Sequence, residues 1–209
     1  MKKKFILIQF IIVLFCIFIA GCSEKKETTR YIEGDVIEFG TALIERDTKL
    51  EWIVLECQND RALLISKNII EYRNFHSKTK TNIEWQNSDI CAWLNNDFYN
   101  GAFSEEEKAK VLEYEIQTKN YGSETSDSTQ NRVFLFNIQE VKKYVTGKKY
   151  AETTIEDSSK GWLLRDKAEN QNHIAYVNEE GNIIDDFGAV MDSVQGIRPA
   201  MWIKIESLE

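Results

Sequence analysis

Glu51-Trp52-Ile53-Val54-Leu55-Glu56-Cys57 and Arg61-Ala62-Leu63-Leu64-Ile65-Ser66, joined by Gln58-Asn59-Asp60, decide the fold. Both runs are rich in strand formers, and the polar triplet between them is a turn signal, so they predict an antiparallel hairpin. Each run is too apolar to leave one face wet, which puts the hairpin in the middle of a sheet. Upstream, Asp35 to Phe39 is short and β-prone. Downstream the period changes: Asn87-Ser88-Asp89 opens a helix in which Ile90, Trp93, Leu94 and Phe98 share one face. Gly101 ends it. Ser104-Glu105-Glu106-Glu107 is a capping box, predicting a second helix through about Tyr114 with Ala109 and Leu112 inward. Thr118 to Asn131 is rich in Ser, Thr, Asn and Asp and reads as a loop. Arg132 to Phe136 reads as a strand, and Asn137 with Glu140 caps a third helix carrying Val141, Tyr144 and Val145. Residues 146–160 are polar and irregular. Trp162 to Arg165, Ile174 to Val177, Ile183-Ile184 and Met201 to Ile205 then read as short strands, with Pro199 just ahead of the last. Strands, then helices, then strands, with neither βαβ alternation nor a repeat, predict one α+β domain over residues 31–209.

The remaining residues concern location. Of 209 residues, 43% are hydrophobic and 11% aromatic, which excludes a disordered chain. Met1-Lys2-Lys3-Lys4 is a cationic leader, and Phe5 to Ile19 is an apolar run of the length of an export signal. As a helix it would span about 22 Å, short of the roughly 30 Å hydrocarbon core. Ile19-Ala20-Gly21-Cys22 resembles the lipobox of bacterial lipoproteins. That resemblance implies a signal peptide over residues 1–21, cleavage before Cys22, and a diacylglycerol on its sulfur that anchors the chain to the membrane. Residues 22–30 read as a polar tether. Losing residues 1–21 removes three Lys and no acid, so the net charge moves from −8 to −11. Such a body is no nucleic-acid binder. Export also exposes Cys57 and Cys91 to an oxidising compartment, where a disulfide is permitted; two buried thiols are the alternative.

Eight ordered blocks carry a second resemblance. They include Trp85-x-x-Ser88-x-Ile90-x-x-Trp93-Leu94-Asn95, Phe98-Tyr99-x-x-Ala102-Phe103-Ser104-x-x-Glu107, Trp162-Leu163-Leu164-Arg165 and Gly196-Ile197-Arg198-Pro199-Ala200-Met201-Trp202. Across nearly all of residues 36–205 the chain resembles a bacterial family catalogued as domain of unknown function 6273. It departs from that family's habits at Trp162-Leu163, at Asp166 and at Phe136-Asn137. More distantly, the layout is similar to the C-type-lectin-like superfamily, which includes the formylglycine-generating-enzyme branch. The lectin calcium signatures and a late redox Cys pair are missing, so neither resemblance transfers an activity.

Chemistry is sparse. The two His, His76 and His173, belong to no nucleophile elbow or metal-binding pair and read as surface or edge residues. Glu179-Glu180 and Asp185-Asp186 read as solvated turn charges. Trp52 and Trp93 read as core. Trp85, Arg165 and Arg198 are weak candidates for ligand binding, with Arg bound to carbonyls or an acid as the competing role. No metal and no cofactor is expected. The expectation is therefore a lipid-anchored, extracytoplasmic, non-catalytic module that binds a cell-wall glycan, peptide or partner protein through residues 116–131 and 146–161. A carboxylate-dependent wall hydrolase and a structural subunit of a surface complex are the alternatives.

Overall fold

The computed structural model describes residues 31–44, 47–78, 83–119, 126–147, 161–169 and 172–205. The export signal, the tether and Cys22 lie outside them. Two antiparallel-rich sheets, a two-stranded hairpin and a few short helices make an α+β domain dominated by strands. Among the described residues no helix is long and apolar enough to cross a membrane.

The first sheet grows from the hairpin. β2 (Lys49–Gln58) and β3 (Arg61–Ser66) pair antiparallel and are central in the order β1-β2-β3-β11, with β1 (Val36–Thr41) and β11 (Ala200–Lys204) at the edges. Trp52, Ile53, Val54 and Leu55 are all buried, as are Ala62 to Ser66, so both faces of the hairpin are covered. The second sheet has the order β4-β10-β7-β8-β9, from β4 (Glu71–Asn74), β10 (Val194–Ile197), β7 (Trp162–Lys167), β8 (His173–Val177) and β9 (Ile183–Val190). Its one parallel contact is Gly196 beside Trp162. A Cβ at Gly196 would lie 2.8 Å from the backbone oxygen of Gly161, just before β7, so only Gly lets these backbones approach.

Between β3 and Asn137 the chain departs from its sequence reading in three places. The box at Ser104 and Glu107 forms as expected, but α3 (Glu105–Lys108) is one turn long and Ala109 is exposed. It stops because Leu112 N–H and Lys110 C=O are taken by Trp202 and Lys204 of β11. The stretch read as a loop from Thr118 is largely a hairpin, β5 (Tyr114–Lys119) with β6 (Ser126–Asn131). Its residues are polar, yet they alternate: Ile116 and Thr118 are buried and Glu115 and Gln117 exposed, a period of two that composition hid. The expected strand at 132–136 makes a single bridge, Phe134 to Ala200. A side chain replaces the missing ladder. Asn95 Oδ1 accepts from Arg132 and Val133 N–H at 2.9 and 3.2 Å, and its Nδ2 donates to Val133 O at 2.9 Å.

Asn95 lies in a continuous helical stretch formed by α1 (Asp89–Trp93), a π turn over Leu94–Phe98 and α2 (Tyr99–Ala102). Ser88 caps it through Cys91 N–H, and the face carrying Ile90, Trp93, Leu94 and Phe98 is buried as expected. Phe103, just after it, is the hub of an aromatic cluster. Its ring lies 5.3 Å from Phe39, 5.6 Å from Phe98 and 6.3 Å from Trp52. α4 (Ile138–Tyr144) carries the second complete capping box, Asn137 with Glu140.

Glu107 does two jobs at once. It closes its own capping box and accepts Gly40 N–H at 2.9 Å, tying α3 to the bulged end of β1. Burial alone would raise its pKa, but these bonds and nearby Lys49 hold it below its ordinary 4.5. Ser104→Ala should cost about 1 kcal/mol, read as a fall of a few degrees in melting temperature. The folded state binds the ionised carboxyl better. That stabilisation is therefore complete above the ordinary carboxylate range and is lost as pH falls through the lowered value. The stability gap between wild type and Glu107→Gln should accordingly shrink on acidification; a gap that widens would refute this assignment.

Candidate functional site

A partly open cleft of about 400 Å³ lies where the β1–β2 connection meets the segment leaving β3. Leu43 and Ile44 form one wall, Ile69 and Ile70 the other, and Phe98 closes the floor. Ile44 at its mouth is 80% exposed. Glu51 and Glu71 also line it, and both are fixed from outside. Lys67 Nζ binds Glu51 Oε2 at 2.9 Å, and Arg73 Nη2 lies 2.8 Å from Glu71 Oε1. Arg73 is itself oriented by the Trp93 ring, whose centroid is 4.1 Å from its guanidinium carbon. Apolar walls with a few placed polar groups are the usual makeup of a binding cleft.

The cleft is at one end of β2, where Lys49 begins the strand. The chain enters the described domain at the other: Tyr31 O accepts from Cys57 Sγ at 3.3 Å. The eight residue steps from Lys49 to Cys57 span about 26 Å as strand. Ile205, the last described residue, binds Asp60 O at 2.7 Å beside the same turn. Both ends of the domain therefore meet at the pole opposite the cleft.

The three residues singled out from the sequence are brought together neither with the cleft nor with each other as a site. Trp85 is buried, its indole donating to Asn131 Oδ1 at 3.0 Å. Arg165 is 1% exposed; it donates to Leu135 O at 2.6 Å and Gln117 O at 2.8 Å, and forks onto Glu140 through both nitrogens. One guanidinium thus joins β5, the 132–136 segment, α4 and β7. Arg198 joins the two sheets. Its Nε donates to Ser66 O at 2.8 Å, and its guanidinium lies 5.3 Å from the centre of the Trp162 ring. Burial lowers its pKa to about 10. The disulfide that export permits is not formed. Cys57 is an exposed free thiol, and Cys91 a buried one whose pKa burial raises to about 11.

His76 is not a surface residue: it is 7% exposed, with its backbone N–H bound to Met191 O. It lies beside a serine and an aspartate, but in the wrong order for a nucleophile. Ser77 Oγ donates to Asp89 Oδ2 at 2.6 Å, and His76 Nδ1 is 3.1 Å from Asp89 Oδ1. A catalytic triad needs the hydroxyl on the imidazole, whereas here the carboxylate takes it. Those bonds, Ser77's first, lower the Asp89 pKa, so it stays an acceptor. Tyr144 donates to Glu56, and Lys143 Nζ lies 3.2 Å from the same oxygen. Burial and Glu56 raise the Tyr144 pKa, which makes that phenol a poor base. His173 opens β8 inside the second sheet; Asp185 and Asp186 are exposed on β9, and Glu180 accepts from Asn182 in the turn before it. Among the described residues no group of three His, Cys, Asp or Glu could hold a metal ion.

Of the loops expected to bind a ligand, 116–131 is mostly the β5–β6 hairpin, with 120–125 outside the described residues, and 148–160 also lie outside them. The cleft was missed because its residues are scattered across a short connection and an unassigned Ile69-Ile70 pair. The exposure of Ile44 shows only once the turn is placed.

The model of one family, domain of unknown function 6273, matches residues 59–205, and the chain belongs to that family. No curated protein and no solved structure matches it. The matched span takes in Ile69, Ile70, Glu71 and Phe98, while the wall at Leu43 and Ile44 precedes it.

Proposed function

We propose that this member of the family is a lipoprotein anchored through Cys22 on the outer face of the cytoplasmic membrane, and that it is a non-catalytic module binding a cell-wall glycan, peptide or partner protein in the cleft. The observation that carries the reading is the polarity of the domain. The chain enters and leaves at one end of β2, and the cleft opens at the other, about 26 Å away. Nine tether residues reach at most about 30 Å when extended. A ligand arriving from the wall would thus meet the cleft before it met the bilayer. The same reading takes the domain as a distant C-type-lectin-like unit. In support, β11 returns to pair with β3, so the last strand lies in the sheet that the opening hairpin begins.

The test uses the full chain. Cys22→Ser should move it from the membrane to the soluble fraction without changing its melting temperature. Leu43→Asp and Ile44→Asp place a charge where an apolar ligand group would sit. Each should weaken co-sedimentation with purified cell wall at least tenfold, about 1.4 kcal/mol, while the fold survives. Retention by wall in both cleft variants would reject the cleft. Turnover of wall material by the wild type would reject the non-catalytic reading.

A further inference from the structure

Gly101 lies inside α2, where glycine costs helix stability, and its φ is not left-handed, so no backbone conformation calls for it. Leu43 does. A Cβ built on Gly101 would lie 2.7 Å from Leu43 Cδ2, and among the described residues outside its own helical stretch nothing else comes within 4 Å. Leu43 therefore rests on bare helix, with its branch where a side chain of residue 101 would begin. Phe98, earlier in the same stretch, floors the cleft that Leu43 walls, so this stretch supplies both the floor and the seat of one wall. The backbone leading into that wall is held twice. Gly40 N–H donates to Glu107 Oε1 at 2.9 Å, and a Cβ on Gly40 would meet the Phe103 ring at 2.6 Å. Ala42 N–H donates to Thr48 O at 2.9 Å. With that backbone fixed, bulk added at position 101 is taken up by the Leu43 side chain, which lines the cleft.

We propose that position 101 determines the specificity of the cleft: glycine there lets Leu43 lie back on α2, and any side chain pushes Leu43 toward the wall formed by Ile69 and Ile70. Gly101 is thus a positioning residue that acts through Leu43 and sets the bulk of the ligand group that enters. The inference rests on the cleft being the binding site, and it goes further by naming a residue outside the lining that sets its width.

The test compares Gly101→Ala, Leu43→Val and the double substitution in the full chain, by methyl NMR and by co-sedimentation with purified cell wall. Gly101→Ala should melt at or slightly above the wild-type temperature, since alanine favours the helix. It should shift the Leu43 methyl resonances and leave the Trp52 indole resonance in place. Retention by wall should fall about threefold or more. Leu43→Val withdraws the colliding branch, so the double variant should recover retention to within about twofold of wild type, a coupling that two independent losses would not show. Leu43 resonances that ignore Gly101→Ala overturn the seat, and a melting temperature several degrees lower overturns it too, because the added methyl would then strain the fold itself. Shifted methyls with unchanged retention, while Ile44→Asp still lowers it, overturn the specificity role and spare the cleft. A loss that Leu43→Val does not restore overturns the route through Leu43. A wild type that wall does not retain, or Ile44→Asp retained like wild type, rejects the cleft and this inference with it.

Discussion

Arg165→Met should lower stability by about 3–4 kcal/mol, a fall of roughly 6–16 °C in melting temperature for a domain of this size. The side chain is 1% exposed and forks onto Glu140, while the same guanidinium serves the carbonyls of Leu135 and Gln117. Met fills much of the volume but supplies no donor. Leu135 O then loses this donor, Gln117 O keeps only Asn137 Nδ2 at 3.2 Å, and Glu140 keeps only its capping role at Asn137. Glu140 is about a quarter exposed, so water offsets part of that loss, and the estimate stays below the upper limit for a fully buried pair. Arg165→Lys should fall between: it restores the charge but cannot reach three acceptors in a fixed plane. Denaturant unfolding of the three proteins checks the order. If Arg165→Met melted like wild type yet lost ligand, Arg165 would be a ligand residue and this structural role would be wrong.

Trp52→Ala should cost still more, about 3–5 kcal/mol. Trp52 is fully buried between Phe39 and Phe103, and its indole donates to Phe39 O at 2.6 Å. That bond matters because β1 bulges between Glu38 and Thr41, where its ladder with β2 is irregular. Trp52→Phe should keep most of the packing and lose the donor, for about 1–2 kcal/mol. The pair separates two roles for this tryptophan. A sugar-stacking residue would lose affinity with little change in melting. Here the melting temperature should move in both variants, while affinity per folded molecule stays constant.

The sequence disclosed elements whose side chains announce themselves. Trp52 to Leu55 and Ala62 to Ile65 are apolar without interruption, and Ser104-x-x-Glu107 and Asn137-x-x-Glu140 spell capping boxes whose bonds all form. It concealed elements held by partners distant in the chain. β5 and β6 are polar because an isolated ribbon needs only alternate residues on the core, and Ile116 and Thr118 suffice. The 132–136 segment is apolar like a strand, but Asn95, 37 residues away, supplies the bonds a neighbouring strand would have made. Buried Arg165 and Arg198 could be named in advance as ligand or scaffold. Only the positions of Glu140, Ser66 and the nearby carbonyls put them in the frame. The cleft was the least legible feature, since the partial burial of Ile70 and exposure of Ile44 depend on where two turns fall.

The meeting of both chain ends at the β2–β3 turn, opposite the cleft, has a mechanical consequence. If the cleft holds a wall component and Cys22 holds the bilayer, tension between the two envelope layers runs along β1 and β2 rather than across them. The bonds pairing Val36 with Ile53 and Ile37 with Trp52 are then loaded side by side, in shear. They must yield together instead of unzipping one at a time. β11 ends at the same pole, with Lys204 facing Arg61 on the last rung of its ladder, so a pull on the C-terminal end loads its bonds to β3 in shear as well.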